Sequence, residues 1–406
     1  MNFKEFITEQ KNTHMTHIED KVIYGGVNGT REAILALRSL RDMLGGVHAG
    51  NVSVKWDGAP AIFCGTDPRD GKFFVAKKGI FNKSPKVYKT DADIDADTGG
   101  DLNVKLKQAL QYLPDLGIKG VVQGDFLFDS SDIQTKKIKG KTYVTFHPNT
   151  IVYAVPVEAA QEIMRAKIGV VWHTYYSGST FETMNASFGV STAAFKNVRT
   201  VWQKSANLPD ISGLATLTKK ETDEITKHIS NAGKLFQKIA ATTLNDVASN
   251  KDINLFINTF RNTKVRAQEE VTDSKAYVEE LIGWIENRYN TEKERLKSDA
   301  GKDRKEQAKL AALEFFSDEN KSGLISMLDM QNELVSAKIK LLKHLDSMDS
   351  INTFIKTKDG FRVTGAEGYV AIDHLTNGAV KIVDRMEFSY NNFSKDIIKG
   401  WESESR

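Results

Sequence analysis

Alternating apolar and polar positions predict several short strands in the first 160 residues. Val52 and Val54 alternate with polar residues, which is the spacing of a strand with one buried face. Other apolar runs rich in β-branched and aromatic residues follow and end at turn signals. The predicted strands are 52–54, 61–64, 72–76, 121–128, 150–157, 366–372 and 379–385. The last two are separated by Asn377-Gly378, a hairpin signal, so we expect antiparallel sheets.

A different spacing predicts a long helical region between residues 218 and 345. Apolar residues recur there every three or four positions, as in Ile225, Ile229 and Ala232, and this period is typical of amphipathic helices. Shorter helices are predicted at 30–44, 102–113 and 159–166. The pattern as a whole predicts an α+β protein.

Candidate chemistry lies at the end of the first strand, in Lys55-Trp56-Asp57-Gly58. A sheet fixes the direction of such a lysine, and partial burial beside other cations can make the amine a nucleophile. Asp57 is placed to hold the amine, and Gly58 lets the backbone approach a phosphate closely. The four-residue pattern also occurs by chance and in hairpin turns, so its meaning depends on the polar residues farther along the chain.

An ordered series of polar residues comes after Lys55 at the ends of the other predicted strands. The series comprises Lys77-Lys78-Gly79, Gly124-Asp125, Tyr153, Glu367-Gly368 and Lys381. Taken together, these residues resemble the motifs of the covalent nucleotidyltransferase superfamily, which includes ATP-dependent DNA ligases, RNA ligases and mRNA capping enzymes.

The resemblance implies a role for each of these residues and implies ATP and Mg²⁺ as cofactors. Lys55 would be the catalytic residue that takes the nucleotide as a lysyl-AMP phosphoramide. Asp125 and Glu367 would hold the metal, and Tyr153 would stack on the purine. The nucleotide-binding set implied by the resemblance is Lys55, Asp57, Gly58, Lys78, Asp125, Tyr153, Glu367 and Lys381.

Three departures from the family pattern favour an RNA-ligase-like enzyme or a decayed one. Asp125 is one methylene shorter than the usual glutamate, and Pro60 stands where DNA ligases usually carry arginine. Val383 occupies the place of a second lysine, for which Arg385 is the nearby substitute. About 20 residues come after that position, which leaves no room for the C-terminal OB barrel of DNA ligases and capping enzymes.

The resemblance therefore predicts an antiparallel-sheet ligase-type core interrupted by a large helical insert. Residues 1–160 and 346–406 form the core in this prediction, and residues 161–345 form a mostly helical subdomain. That subdomain is either a lid or packing unit, or it grips the nucleic acid. The implied function is ATP-dependent ligation of a polynucleotide, RNA rather than DNA. The alternatives are a nucleotidyltransferase acting on an RNA end or a protein, and an inactive virion-packaged protein with this fold.

Charge and composition add little to the choice of partner. The net charge of +3 is too small to require nucleic acid, so RNA or a nicked duplex is a partner implied by the resemblance. Two local groups of lysines are candidate backbone contacts, with solvated loops as the alternative reading. These candidates are Lys77, Lys83 and Lys86 in one group and Lys136 and Lys137 in the other.

The sequence also suggests where the protein acts. A single cysteine, Cys64, excludes an internal disulfide and a cysteine-based zinc site. Neither a bilayer-spanning apolar stretch nor a signal peptide is recognisable, so we expect a monomer in the host cytoplasm with no membrane partner. Residues 1–9 resemble the capsid-targeting peptides of tailed bacteriophages, cut after Ile7-Thr8-Glu9, which suggests packaging in the virion. A frayed first helical turn is the alternative.

Overall fold

A computed structural model describes residues 17–47, 51–207, 216–348, 351–373 and 378–402. Only the backbone is described for Asn51, 371–373 and 378–380. The predicted capsid-targeting peptide at residues 1–9 lies outside the described residues, as does Asn377 of the predicted hairpin turn.

The strands coincide with the predicted apolar runs and include several more. In chain order they are β1 (Asn51–Lys55), β2 (Ala61–Thr66), β3 (Phe73–Ala76), β4 (Val121–Asp129), β5 (Gln134–Ile138), β6 (Lys141–Phe146), β7 (Ile151–Pro156), β8 (Ile168–Ser177), β9 (Asn185–Phe188), β10 (Val201–Ser205), β11 (Asn352–Thr357), β12 (Gly360–Val363), β13 (Gly368–Asp373), β14 (Gly378–Ile382) and β15 (Ile397–Ile398).

Across the described ranges these strands form three sheets. Sheet A is antiparallel with the order β1-β13-β14. Sheet B has the order β10-β8-β4-β2-β3, with β9 beside β8, and only its β8–β10 pair is parallel. Sheet C has the order β12-β11-β7-β6-β5, with β15 beside β11. The expected antiparallel sheets are confirmed.

The helices fall mainly between β10 and β11. In chain order they are α1 (Lys21–Leu44), α2 (Asp91–Asp97), α3 (Gly100–Tyr112), α4 (Gln161–Arg165), α5 (Lys219–Lys238), α6 (Ala241–Ser249), α7 (Lys251–Arg266), α8 (Ser274–Glu294), α9 (Asp299–Glu314), α10 (Asp318–Met348) and α11 (Arg385–Phe393). The predicted mixed α+β class is confirmed.

The helical region begins later in the chain than the predicted insert. Helices α5–α10 match the predicted helical stretch 218–345, but β8, β9 and β10 also lie within the predicted insert 161–345 and belong to sheet B. Helix α1 packs against α5, α6 and α10. The helical bundle therefore consists of α1 and α5–α10. The sheet-forming part of the chain continues to Ser205.

Buried charges join this bundle to the segment that precedes α1. Lys338 Nζ, on α10, lies 2.8 Å from Glu19 Oε1, and both side chains are 1% exposed. Gln331 Nε2 donates to the Glu19 carbonyl at 2.8 Å. Asp20 is paired with Arg385, at the start of α11. These contacts tie the long helix to the region beside sheet A.

The apolar core is continuous from the bundle into the sheets. One large cluster contains the inner faces of the bundle helices together with residues of sheets A and C, such as Val54, Phe146 and Tyr369. A second cluster packs α3 against one face of sheet B. None of the helices in the described parts of the chain is long and apolar enough to cross a bilayer.

Candidate functional site

Lys55 is placed by the pairing of β1 with β13. Its backbone lies opposite Gly368 in this antiparallel pair, so the side chain meets that of Glu367, the residue before β13. Lys55 Nζ forms an ion pair with a Glu367 carboxylate oxygen. Lys55 is 31% exposed and Glu367 is 12% exposed. The amine is therefore held by the sheet and still reachable from solvent.

Gly368 explains why the acidic residue of this pair is followed by glycine. Its φ is +151°, and an added Cβ would lie 2.3 Å from a Val383 side-chain carbon and 2.7 Å from the Ile382 carbonyl oxygen. Only glycine fits this close approach of β13 to the end of β14. The Glu367-Gly368 pair thus fixes where the carboxylate meets Lys55.

Lys381 lies on β14, opposite Val370 of β13. Its ammonium is 4.9 Å from the centre of the Phe388 ring. Burial, together with repulsion by Lys55, lowers the pKa of Lys381, while Glu367 opposes that shift. Lys381 therefore shares the electrostatic environment of Lys55 and Glu367, as predicted for a residue of the same site.

Asp125 reaches the same environment from sheet B. It lies on β4, opposite Ala61 of β2 and Val171 of β8. Burial raises the pKa of Asp125 to about 7, with Lys55 opposing the shift and Asp57 adding to it. We call Lys55, Asp125, Glu367 and Lys381 the Lys55 site.

His173 is a neighbour of the Lys55 site that the sequence pattern did not predict. Its Nε2 lies 3.8 Å from Asp125 Oδ2. Burial, aided by Lys55, lowers the pKa of His173 to about 4, so the ring is neutral where Asp125 titrates. A long-range contact between β4 and β8 brings the two together, and the local sequence around His173 gives no signal of it.

Asp57 has a different task from holding the amine. It is 5% exposed and accepts hydrogen bonds from Asn149 Nδ2 at 2.6 Å and from the backbone N–H groups of Thr150 and Ile151 at 2.6 and 2.8 Å. Its carboxylate therefore fastens the residues after β1 to the start of β7, on sheet C. We call residues 147–150 the Asp57 loop.

Gly58 is required by packing rather than by phosphate approach. An added Cβ would lie 2.6 Å from Asp125 Cβ and 3.0 Å from the Phe126 carbonyl oxygen. The glycine thus lets the segment after β1 lie directly against β4. The segment from Lys55 to Gly58 therefore has contacts with all three sheets. Lys55 pairs with Glu367 beside sheet A, Gly58 packs against Asp125 of sheet B, and Asp57 binds the start of β7 in sheet C.

The purine-stacking role predicted for Tyr153 does not agree with this arrangement. Tyr153 is 3% exposed, and its ring stacks with those of Trp56 and Phe146, at centroid distances of 4.8 and 5.4 Å. Its hydroxyl accepts the Asp57 N–H at 2.7 Å. Tyr153 supports the segment that carries Lys55 from inside the protein. The strand pattern could not show that both strand faces are buried here.

The predicted nucleic-acid lysines lie in two groups away from these contacts. Lys77 and Lys86 bind the carboxylate of Asp97 at 2.9 and 2.5 Å, whereas Lys83 is exposed. Lys78, which was predicted to bind the nucleotide, is also exposed and follows β3. The second group lies on β5 of sheet C, where Lys136 is half-buried and Lys137 exposed. The structure assigns Lys77 and Lys86 an ion-pair partner but shows no contact between these groups and Lys55.

A metal site built from protein ligands alone is absent from the part of the chain that is described. No group of three or more His, Cys, Asp or Glu side chains there is arranged to hold a metal ion. Asp125 and Glu367, the predicted metal ligands, both interact electrostatically with Lys55. These two residues would supply two carboxylates to a metal ion.

These features define an α+β protein in which a lysine between two carboxylates lies where three sheets meet. The chain belongs to the family of unknown function DUF6267, whose model matches residues 12–397. No curated protein and no solved structure matches it.

Proposed function

We propose that this chain is a covalent nucleotidyltransferase that takes AMP from ATP onto Lys55 and passes it to a polynucleotide, RNA rather than DNA. The single observation that carries the proposal is the Lys55 site itself. A structural ion pair requires only one carboxylate. Here a second carboxylate, Asp125, and a second cation, Lys381, come from other strands to the same partly exposed amine.

In the proposed first step, the neutral amine of Lys55 attacks the α-phosphorus of ATP. A nitrogen–phosphorus bond forms while the bond from the α-phosphorus to the bridging oxygen breaks, and pyrophosphate leaves with the electron pair. The nitrogen loses a proton. Asp125, with a pKa of about 7, is suited to accept it near neutral pH. Lys381 stabilises charge that develops on the α-phosphate.

Glu367 fits as a ligand of a magnesium ion that arrives with the nucleotide. Mg²⁺ is usually bound by one or two carboxylates together with phosphate oxygens and water, so one protein carboxylate is sufficient, and Asp125, the other predicted ligand, stays available to accept the proton. When bound, the ion would neutralise phosphate charge during transfer. Glu367, which pairs with Lys55 in this structure, would be the residue that holds the ion.

A non-catalytic nucleotide-binding protein of this fold is the second candidate. The observation that favours it concerns the cation that would replace the missing second lysine at Val383. Arg385 is paired with Asp20, and its Nη1 lies 3.1 Å from Asp20 Oδ1. This interaction neutralises the guanidinium, which makes Arg385 a poor substitute for the missing lysine.

The test is intact-mass analysis of the denatured protein after incubation with ATP and Mg²⁺. We expect an AMP adduct on the wild type, none on Lys55→Ala or Lys55→Arg, and the wild-type level on Lys358→Ala, a control at an exposed turn lysine. Asp125→Asn should slow adduct formation by about 10²- to 10⁴-fold if Asp125 accepts the proton.

The same experiment contradicts the proposal if no adduct forms with ATP, GTP, CTP, UTP or NAD. Equilibrium binding of the same nucleotides then decides on the second candidate. Retention of binding by the wild type and its loss in Lys381→Gln would support a nucleotide-binding protein without transfer activity.

A further inference from the structure

A groove on sheet C borders the Asp57 loop. It encloses about 590 Å³, and residues of β5, β6, β7 and β11 line it together with Gly400 and Trp401. His147, the first residue of the Asp57 loop, also lines the groove, while Asn149 of that loop binds Asp57. We call this feature the Trp401 groove.

Two lysines in the groove have no neutralising partner among the residues that the structure describes. In the described ranges, neither Lys136 nor Lys356 has a carboxylate within ion-pair distance. Lys136 instead lies 5.5 Å from the centre of the Phe361 ring. Partial burial and repulsion by Lys356 lower the pKa of Lys136. The fold thus holds two like charges together, which favours an anionic ligand.

The carboxylates that also line the groove are engaged elsewhere. Asp101 binds Lys105 at 3.0 Å, and Asp132 accepts the backbone N–H of Asp129 at 3.0 Å. His147 adds no charge, because burial and the neighbouring lysines lower its pKa to about 4. Asp132 keeps its charge, so Lys136 and Lys356 leave an excess of one positive charge in the described lining of the groove.

Trp401 supplies an open aromatic surface beside these cations. It is 68% exposed, whereas Trp56 and Trp172 are 4% and 0% exposed. The backbone at Gly400 is fixed, because Gly400 N donates to the Asn149 carbonyl at 2.7 Å. An exposed aromatic ring next to unpaired lysines is the combination that binds single-stranded nucleic acid by stacking and phosphate contact.

We propose that the Trp401 groove binds a single-stranded segment of nucleic acid, with a base stacked on Trp401 and backbone phosphates at Lys136 and Lys356. The inference rests on the proposed function and names the acceptor-binding surface of that enzyme. A strand held in the groove would lie beside the Asp57 loop, whose Asn149 binds Asp57. Of the two predicted lysines on β5, this assigns the phosphate contact to Lys136.

The test is fluorescence anisotropy with a fluorescein-labelled 12-nucleotide RNA and the DNA of the same sequence, measured over a range of salt concentrations. Loss of two phosphate contacts in Lys136→Gln/Lys356→Gln should reduce the salt slope of log K by about 1.4. Trp401→Ala should weaken binding by about 10-fold or more, and Trp401→Phe should restore most of it. The matched charge control is Lys141→Gln/Lys358→Gln, at exposed positions, which should bind like the wild type.

A second measurement keeps the result independent of folding defects. Oligonucleotide should quench the tryptophan fluorescence of the wild type, and this quenching should be much smaller in Trp401→Phe. Far-ultraviolet circular dichroism of each variant checks that it is folded. Wild-type binding by the folded groove variants would overturn the inference. The absence of binding to either oligonucleotide, or equal competition by a glutamate peptide of the same length, would also overturn it.

The inference and the proposed function fail separately. Adduct formation on Lys55 needs only nucleotide, so the groove variants should keep it. Lys55→Ala should still bind the oligonucleotide. An adduct without oligonucleotide binding removes the groove proposal alone, and binding without an adduct removes the transfer chemistry alone.

Discussion

Asp125 shows how the sheet changes the chemistry of one side chain. Strand β4 lies between β2 and β8, so the carboxylate is largely removed from water, and burial is the main cause that raises its pKa to about 7. Lys55 opposes this shift without cancelling it. The neutral His173 at 3.8 Å adds no compensating charge. The pKa of Asp125 therefore lies close to neutral pH, where both the protonated and the ionised form are populated.

Asp125→Asn should make the protein more stable at alkaline pH. Because the folded-state pKa of about 7 lies above the ordinary value of 3.8, the folded protein binds more protons than the unfolded chain between these values. The associated stability is present below about pH 4 and is lost as the pH rises through 7. The neutral amide avoids that loss. At pH 8 we expect Asp125→Asn to gain unfolding free energy on the order of 2–4 kcal/mol, and this gain should shrink toward pH 4. Urea denaturation at a series of pH values measures it.

Asp115→Asn, at an exposed position, is the control for this measurement. It should follow the pH dependence of the wild type. A difference between Asp125→Asn and the wild type that stays constant from pH 5 to pH 8 would contradict the burial argument.

The residues of the candidate site could be predicted only where a local sequence pattern marks them. Lys55, Glu367 and Lys381 precede or belong to recognisable strands, and the structure brings them together with Asp125. The buried positions of Tyr153 and Asp57 depend on contacts between distant strands. No local pattern specifies that Asn149 and Thr150 bind Asp57, some 90 residues earlier in the sequence.

At the scale of elements, the long helix α10 is attached to the segment before α1 by one buried ion pair. Glu19 Oε1 accepts from Lys338, but within the described residues its second oxygen, Oε2, has no hydrogen-bond partner. Burial of such a pair has a high desolvation cost, because both groups leave water. The stability of the protein therefore depends strongly on the presence of both partners.

Lys338→Met should destabilise the protein strongly, because Glu19 would be left buried without its cation. We expect a loss of about 3–5 kcal/mol of unfolding free energy. The double variant Lys338→Met/Glu19→Leu should recover most of it, since both charges are then removed. A double-mutant cycle by chemical denaturation gives both values.

Lys340→Met is the matched control two residues further along α10. Lys340 is paired with Glu224 at 2.7 Å, but these side chains are 38% and 44% exposed, so the loss should be below about 1 kcal/mol. Equal effects of Lys338→Met and Lys340→Met would show that burial of the Lys338 pair does not determine its importance.

Elements with a strong local period were predicted well. The helical stretch from 218 to 345 and the strands flanking Lys55 follow from side-chain spacing alone. Strands β5, β11 and β12 were missed because their polar residues, such as Lys136 and Lys356, alternate weakly with apolar ones. The join between β10 and sheet B was missed as well, since a parallel partner lies far away in sequence.

At the scale of the whole molecule, several half-buried histidines are neutral near pH 7. Among the described residues, burial lowers the pKa of His17 to about 3 and those of His147 and His173 to about 4. The unfolded chain would protonate them near 6.5. Each therefore favours unfolding as the medium becomes acidic.

His147→Gln should make stability less sensitive to acid. The folded-state pKa of His147, about 4, is lower than the ordinary value of 6.5. The unfolded chain therefore binds more protons between these two pH values. As a result, the free energy of unfolding decreases as the pH is lowered through that window. Removing one such group should reduce the slope by up to about 1.4 kcal/mol per pH unit. Denaturation at pH 7.5 measures the packing loss separately. Parallel curves for variant and wild type from pH 6.5 to 4.5 would contradict this prediction.

The position of β1 at the edge of sheet A has a consequence for synthesis of the chain. Local segments such as β2–β3 and β5–β6 can pair as soon as they leave the ribosome. Apart from its short bridge to Asn207, strand β1 must wait for β13, which is made more than 300 residues later. A nascent chain that ends within the bundle thus carries Lys55 without Glu367. Under the proposed function, the reactive lysine acquires its partners only after the whole helical bundle has been synthesised.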